Sequence, residues 1–164
     1  MLFRSGATSP EPGSGWMENL SDAIIPRYKM MVEAGHRHDT KVFAQLCHPG
    51  FRPLPGPPIS DGPQGARGVD QPSYRAPERP LPSKERLHEL IEAFARASVR
   101  AVKGGVDGLE IHSHESFLHA QMLNPLWNTR TDEYGGSLEN RLRFLTETLQ
   151  AMRREVGKIG RAHV

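Results

Sequence analysis

Between His112 and His119 the sequence reads HSHESFLH, which sets His112, His114, Glu115 and His119 within eight positions. Imidazoles titrate near neutrality, so they can shuttle protons, donate hydrogen bonds to an oxyanion or ligate a metal. His112-x-His114 is also the spacing with which alternate residues at a strand end share one face and hold a cation between two neutral rings. A metal-dependent barrel hydrolase built on His112 and His114 is therefore one reading, and it needs further His or Asp ligands from later strands. The blander reading is that His112 hydrogen-bonds a neighbour. A second candidate is Gln45, an uncharged amide that offers both a donor and an acceptor. Either a ligand carrying both groups takes it up, or the backbone does. Cys47 has only His48 as a basic neighbour and lacks a matched base, so it reads as a packed thiol and not a nucleophile. Trp16 and Trp127 read as packing residues.

The elements that must position these groups are marked by periodicity. VDGLEIH, from Val106 to His112, is a strand in which a period of two puts Gly108, Glu110 and His112 on one face and Leu109 with Ile111 on the other. In a barrel the apolar set packs on the surrounding helices, and Glu110 and His112 point towards the axis. KVFAQL, from Lys41 to Leu46, is a shorter strand; Phe43, Gln45 and Cys47 share a face, and His48-Pro49-Gly50 halts it. Apolar residues at helical spacing predict helices over 21–34, ending before Gly35, and from an N-cap at Ser83 to the Gly104-Gly105 stop. A third runs from Leu138 to Val156 behind an N-cap at Ser137 and closes at Gly157. Ala7–Trp16 reads as an exposed loop. The nine prolines between Phe51 and Pro82 mark a connection far longer than the usual ~4–6 residues, either functional or disordered. Helix and strand alternate, so an α/β fold with a parallel sheet follows, and ligands should meet residues 45–52 and 110–130 beyond the strands' carboxyl ends.

Composition bounds the function. With 164 residues, 37% hydrophobic and 24% charged, the chain is the size of one domain or part of one. It has no apolar run of the ~18 residues that read as a membrane-spanning helix. Twenty-one Lys and Arg against nineteen Asp and Glu leave a net charge of +2, which gives no support to nucleic-acid binding. A single Cys47 excludes a disulfide framework and a multi-cysteine zinc site. The amino terminus lacks the apolar stretch of a secretory signal, so a reducing, cytoplasmic setting and a small-molecule substrate are expected, with neither membrane nor nucleic acid as partner.

Two stretches carry a resemblance. GVDGLEIHSHESFLHAQMLNPLWNTRTDEYGGSLENRLRF, from Gly105 to Phe144, closely resembles the old yellow enzyme family of flavin-dependent NAD(P)H oxidoreductases. QLCHPGFR, from Gln45 to Arg52, resembles that family's third-strand motif, QL-x-H-x-GR. The resemblance implies a (β/α)8 TIM barrel with FMN at the carboxyl ends of the strands and NADH or NADPH as co-substrate, delivering hydride to an unsaturated carbonyl or related acceptor. It implies that Gln45 hydrogen-bonds the flavin's pyrimidine ring and that His112 binds a carbonyl oxygen or oxyanion.

Glu115 stands where the family usually has Asn or His as a second donor, and an ionised carboxylate can only accept. Phe117 stands where many members carry a proton-donating tyrosine. A protonated Glu115, its pKa raised by burial, is the candidate proton donor. RTDEYGGSLENR, from Arg130 to Arg141, is read as architecture: it builds the loop and N-cap of the last helix, and Arg130 and Arg141 pair with Asp132, Glu133 and Glu139.

The family barrel takes eight strands and about 250 residues. Residues 1–157 are therefore expected to be a partial FMN-binding barrel domain, about strands two to four with their helices. An inactive truncated piece, poorly folded and weak for FMN when isolated, is the accompanying alternative. The phosphate-binding loops, and an iron–sulfur cluster in longer relatives, are implied only for regions absent from this sequence. KIGRAHV, residues 158–164, fits no family pattern and reads as a non-native tail.

Overall fold

The computed structural model describes the backbone of residues 2–6 and, with their side chains, residues 17–48, 50, 81–114 and 117–157. In chain order the elements are β1 (Leu2–Gly6), β2 (Met17–Glu18), a 3-10 turn (Asp22–Ile24), α1 (Ile25–His36), β3 (Phe43–Cys47), α2 (Lys84–Lys103), β4 (Gly108–Ile111), α3 (Leu118–Leu123) and α4 (Leu138–Val156). The strands form one sheet in the order β2-β1-β3-β4, and every pair is parallel. Among the described residues no helix is long and apolar enough to cross a membrane.

Each strand has two different faces, as the alternation of its side chains requires. Val42, Ala44, Leu46 and Leu109 are buried in a core shared with Tyr28 and Val32 of α1, Leu87, Leu90 and Phe94 of α2, and Phe144 and Met152 of α4. The register sets Phe43 beside Gly108 and Gln45 beside Glu110, so the polar residues of both strands share the opposite face. That is the division expected of neighbouring units in a barrel, helices outside and polar groups towards the axis.

Most predicted elements form with shifted ends. Ser83 and Ser137 cap α2 and α4, their hydroxyls accepting from the backbone N–H of Arg86 and Asn140, both at 3.2 Å. β3 extends one residue past Leu46 to Cys47, and α1 runs through Gly35 to His36. Gly35 is not a helix stop: a Cβ there would lie 2.5 Å from Val42 Cγ2, so glycine lets α1 approach the entry to β3. β1, which no apolar periodicity marks, pairs with β3 from Leu2 beside Phe43 to Gly6 beside Cys47. α3 leaves little mark on the sequence, because six residues behind a cap without a side-chain hydrogen bond carry little periodicity. Ala7–Trp16, the proline-rich residues 51–80 and the tail 158–164 lie outside the described residues.

Two polar clamps hold the frame. At the amino end of β4 the Asp107 carboxylate accepts from Val42 N (2.9 Å), Lys41 Nζ (2.9 Å) and His36 Nε2 (2.7 Å), joining α1, β3 and β4. Burial alone would raise its pKa, but the three donors outweigh that and hold the carboxyl well below the usual range. In the loop before α4, the Asn128 amide donates to Met122 O and Tyr134 O, both at 2.7 Å, and Tyr134 Oη donates to Glu147 Oε2 at 2.7 Å. Arg130 pairs with Asp132 as expected. Arg141 instead donates to the carbonyls of Leu123 and Gly136, tying α3 to α4 through the backbone, and Glu133 pairs with Lys84.

Gly104 closes α2 against α1, where a Cβ would lie 2.2 Å from Tyr28 Cβ. Gly104→Ala is therefore expected to destabilise the protein by roughly 1–3 kcal/mol. A lowered urea midpoint at unchanged slope checks it, and an unchanged midpoint would contradict the packing.

Candidate functional site

The polar face of β3 and β4 is built in steps that rise towards the strands' carboxyl ends. At the bottom the Phe43 ring lies on Gly108; a Cβ there would sit 2.3 Å from Phe43 Cε1, so glycine is what admits the aromatic plug. One step up, the buried Gln45 donates from Nε2 to Glu110 Oε1 at 2.7 Å. A carboxylate can only accept, so this contact fixes which end of the amide is nitrogen. Above lie the buried Cys47 and, following β4, His112, whose backbone N–H donates to Leu46 O at 2.9 Å and prolongs the ladder.

The half-buried His112 ring meets Phe117 edge to face with centroids 4.0 Å apart. The exposed His114 ring lies parallel to His112, 6.0 Å away at 9°. Glu115 lies outside the described residues, so the structure brings together Gln45, Glu110, His112, His114 and Phe117 and is silent on Glu115. Among the described residues no three His, Cys, Asp or Glu side chains converge as metal ligands would. The hydrolase reading thus gains no further ligand from them.

His119 parts company with the other histidines of its run. It turns into the helical layer, fully buried between Phe94 (centroids 4.9 Å) and Phe144 (5.0 Å), with Nε2 at 3.4 Å from Thr148 Oγ1. Thr148 donates its own proton to Phe144 O, so Nε2–H of His119 is the donor and Nδ1 is bare, a buried atom without a hydrogen-bond partner. Burial, with a smaller electrostatic contribution from His48 that applies only when both rings are protonated, pushes its pKa down to about 3. His119 is a core residue.

Glu110 is the site residue whose role the sequence did not disclose. Its period-two position put it on the correct face, but only the alignment of β3 with β4 sets it opposite Gln45. The KVFAQ and VDGLE stretches carry the signal once paired in parallel.

Residues 2–161 match the family model described as NADH:flavin oxidoreductase / NADH oxidase family. N,N-dimethylglycine/sarcosine dehydrogenase of Chromohalobacter salexigens is 35% identical over 162 residues, covering 93% of this chain and 23% of that protein. 12-oxophytodienoate reductase 1 of Oryza sativa subsp. japonica is 37% identical over 139 residues, covering 81% of this chain and 36% of that protein. Among solved structures, morphinone reductase in complex with tetrahydroNAD superposes with a TM-score of 0.74 at 27% identity, over 95% of this chain and 48% of that one. The chain thus spans well under half the length of the curated relatives it matches, and its sheet with flanking helices is part of their TIM barrel.

Proposed function

The chain belongs to the NADH:flavin oxidoreductase / NADH oxidase family, and from that premise we propose that it supplies the Gln45 and His112 side of an FMN site in an NAD(P)H-dependent oxidoreductase. The observation that carries this is the polar column on the axial face: a buried amide oriented by Glu110, with a half-buried imidazole above it. The fit to FMN lies in the donor chemistry, because a primary amide of fixed orientation matches the alternating donors and acceptors of a flavin's pyrimidine edge. At a site lined by Gln45 and His112, the chemistry that FMN would supply is hydride transfer from a reduced nicotinamide to an unsaturated carbonyl or related organic acceptor.

The residues divide the remaining work. Gln45 binds the flavin's pyrimidine edge, and Glu110 keeps its amide from flipping. His112 donates a hydrogen bond to the acceptor's carbonyl oxygen and stabilises the negative charge that develops there. The edge-to-face contact with Phe117 restrains the imidazole. Phe117 has no proton to give, so the proton for the substrate carbon falls to Glu115 in its protonated form. Replacing Glu115 with Gln is expected to abolish turnover while flavin stays bound; unchanged turnover would remove Glu115 from the mechanism. The partner is a small organic molecule, and the compartment is cytoplasmic and reducing, in keeping with a sequence that holds a single cysteine.

Phe117 also favours a second reading. Oxidising an amine to an imine needs no proton delivered to carbon, and the 35% identical relative is named a dehydrogenase of N-methylated glycines. Under this reading a secondary or tertiary amine, added without nicotinamide and in the absence of oxygen, reduces the flavin.

The cofactor role is tested by titrating FMN and following the quenching of its fluorescence. Gln45→Leu, which leaves Glu110 without its donor and the flavin edge without its amide, is expected to weaken FMN by roughly 10- to 100-fold. Equal affinity in both proteins would show that Gln45 does not hold the flavin.

A further inference from the structure

The residues just after β3 are tied to the start of α3 by contacts from His48. Its imidazole Nδ1 accepts from Gly50 N at 2.9 Å, and its backbone carbonyl accepts from Leu118 N at 3.0 Å. Nδ1 is therefore the bare nitrogen and the neutral ring carries its proton on Nε2. His48 is buried, as is Gln121, whose side chain fills the space over Gly50: a Cβ on Gly50 would lie 2.3 Å from Gln121 Oε1. Gly50 also has φ +88, a conformation that favours glycine, so its position is fixed by its backbone and by its neighbour together.

Leu118 directly follows Phe117, whose ring stands 4.0 Å from His112. One bond to the His48 carbonyl thus anchors the residue beside the aromatic wall of the site. We infer that His48 is a positioning residue: through Gly50 and Leu118 it locks the end of β3 to the start of α3 and so holds Phe117 against His112. The imidazole contributes by holding Gly50 N on the residue whose own carbonyl takes Leu118 N. Its effect on catalysis passes through the orientation of His112, and the inference rests on the flavoenzyme reading only for that last consequence.

His48→Ala and His48→Asn separate position from mere stability, because the Asn amide oxygen can accept from Gly50 N where Nδ1 did. Imidazole nitrogen and ring-proton resonances are read in the protein expressed from its full reading frame, together with reduction of FMN by NADPH and its reoxidation by 2-cyclohexenone. In the wild type the His48 spectrum shows Nε2 protonated and Nδ1 bare, and the His112 ring protons carry a ring-current shift from Phe117. His48→Ala is expected to erase that shift and slow reoxidation roughly 10- to 100-fold with FMN still bound, whereas His48→Asn retains most of both. Gln121→Ala, which touches neither His48 nor His112 covalently and opens the space over Gly50, reproduces the loss in weaker form should His48→Ala fold poorly. An unmoved His112 signature in the Ala variants, or a wild-type His48 protonated on Nδ1, overturns the inference. If the wild type binds no FMN yet its His112 signature is lost in His48→Ala, the latch stands and the flavoenzyme reading falls.

Discussion

Acidification below pH 6.5 is expected to destabilise this protein, and His119→Phe to remove much of that sensitivity. The unfolded chain binds a proton at His119 near pH 6.5, whereas the folded protein does so only near pH 3, because the charged ring would be buried between Phe94 and Phe144. The folded pKa is depressed, so the contribution of the neutral ring is fully present above the unfolded value and is lost progressively as pH falls towards 3. Each pH unit in that window costs about 1.4 kcal/mol, for a total on the order of 3–5 kcal/mol. Asp107 is lowered as well, but its stabilising effect is lost only below the ordinary value of 3.8, so the two groups act in different windows. Phenylalanine keeps the ring and gives up the weak contact to Thr148. Urea unfolding between pH 7 and 4.5 should show a falling free energy in the wild type and a much shallower fall in His119→Phe. Equal slopes would mean that another group carries the acid response.

Loss of His112 has the larger effect on chemistry. Under the proposed function, His112→Ala removes the donor beyond β4 while leaving Gln45 and Glu110 untouched, so FMN is expected to stay bound and reduction of an enone to slow by about 100- to 1,000-fold. His112→Asn, which restores an N–H but not its reach, should recover part of that loss. The visible spectrum of bound FMN confirms the site's integrity in each variant, and steady-state turnover with 2-cyclohexenone measures the loss. Wild-type turnover in His112→Ala would assign the oxyanion contact to another residue.

What the sequence disclosed follows the ranges of the forces involved. Periodicity reports burial, so the helices over Lys84–Lys103 and Leu138–Val156 and the two faces of β4 were legible, down to the serine caps. Spacing and family resemblance mark Gln45 and His112 as candidates; the register sets Gln45 beside Glu110, and His112 prolongs the same ladder through its bond to Leu46 O. Glu110 acquires a role only from the register of two strands 65 residues apart, which no local pattern contains. His119 misled for a related reason. Its run is dense in titratable groups, yet the six residues of α3 turn its ring into the apolar layer, and a short helix leaves too few positions for a period to show. Gly35 looked like a stop because glycine often is one, while here close approach to Val42 demands it inside the helix.

Gln45 and His112 are proposed to line an FMN site fed by reduced nicotinamide. Purified protein from the full reading frame, held without oxygen, is mixed with NADH or NADPH and followed in the visible range. The expected result is bound FMN whose absorption bleaches on mixing and returns when 2-cyclohexenone is added. A colourless protein that takes up no FMN and instead carries stoichiometric zinc would contradict it.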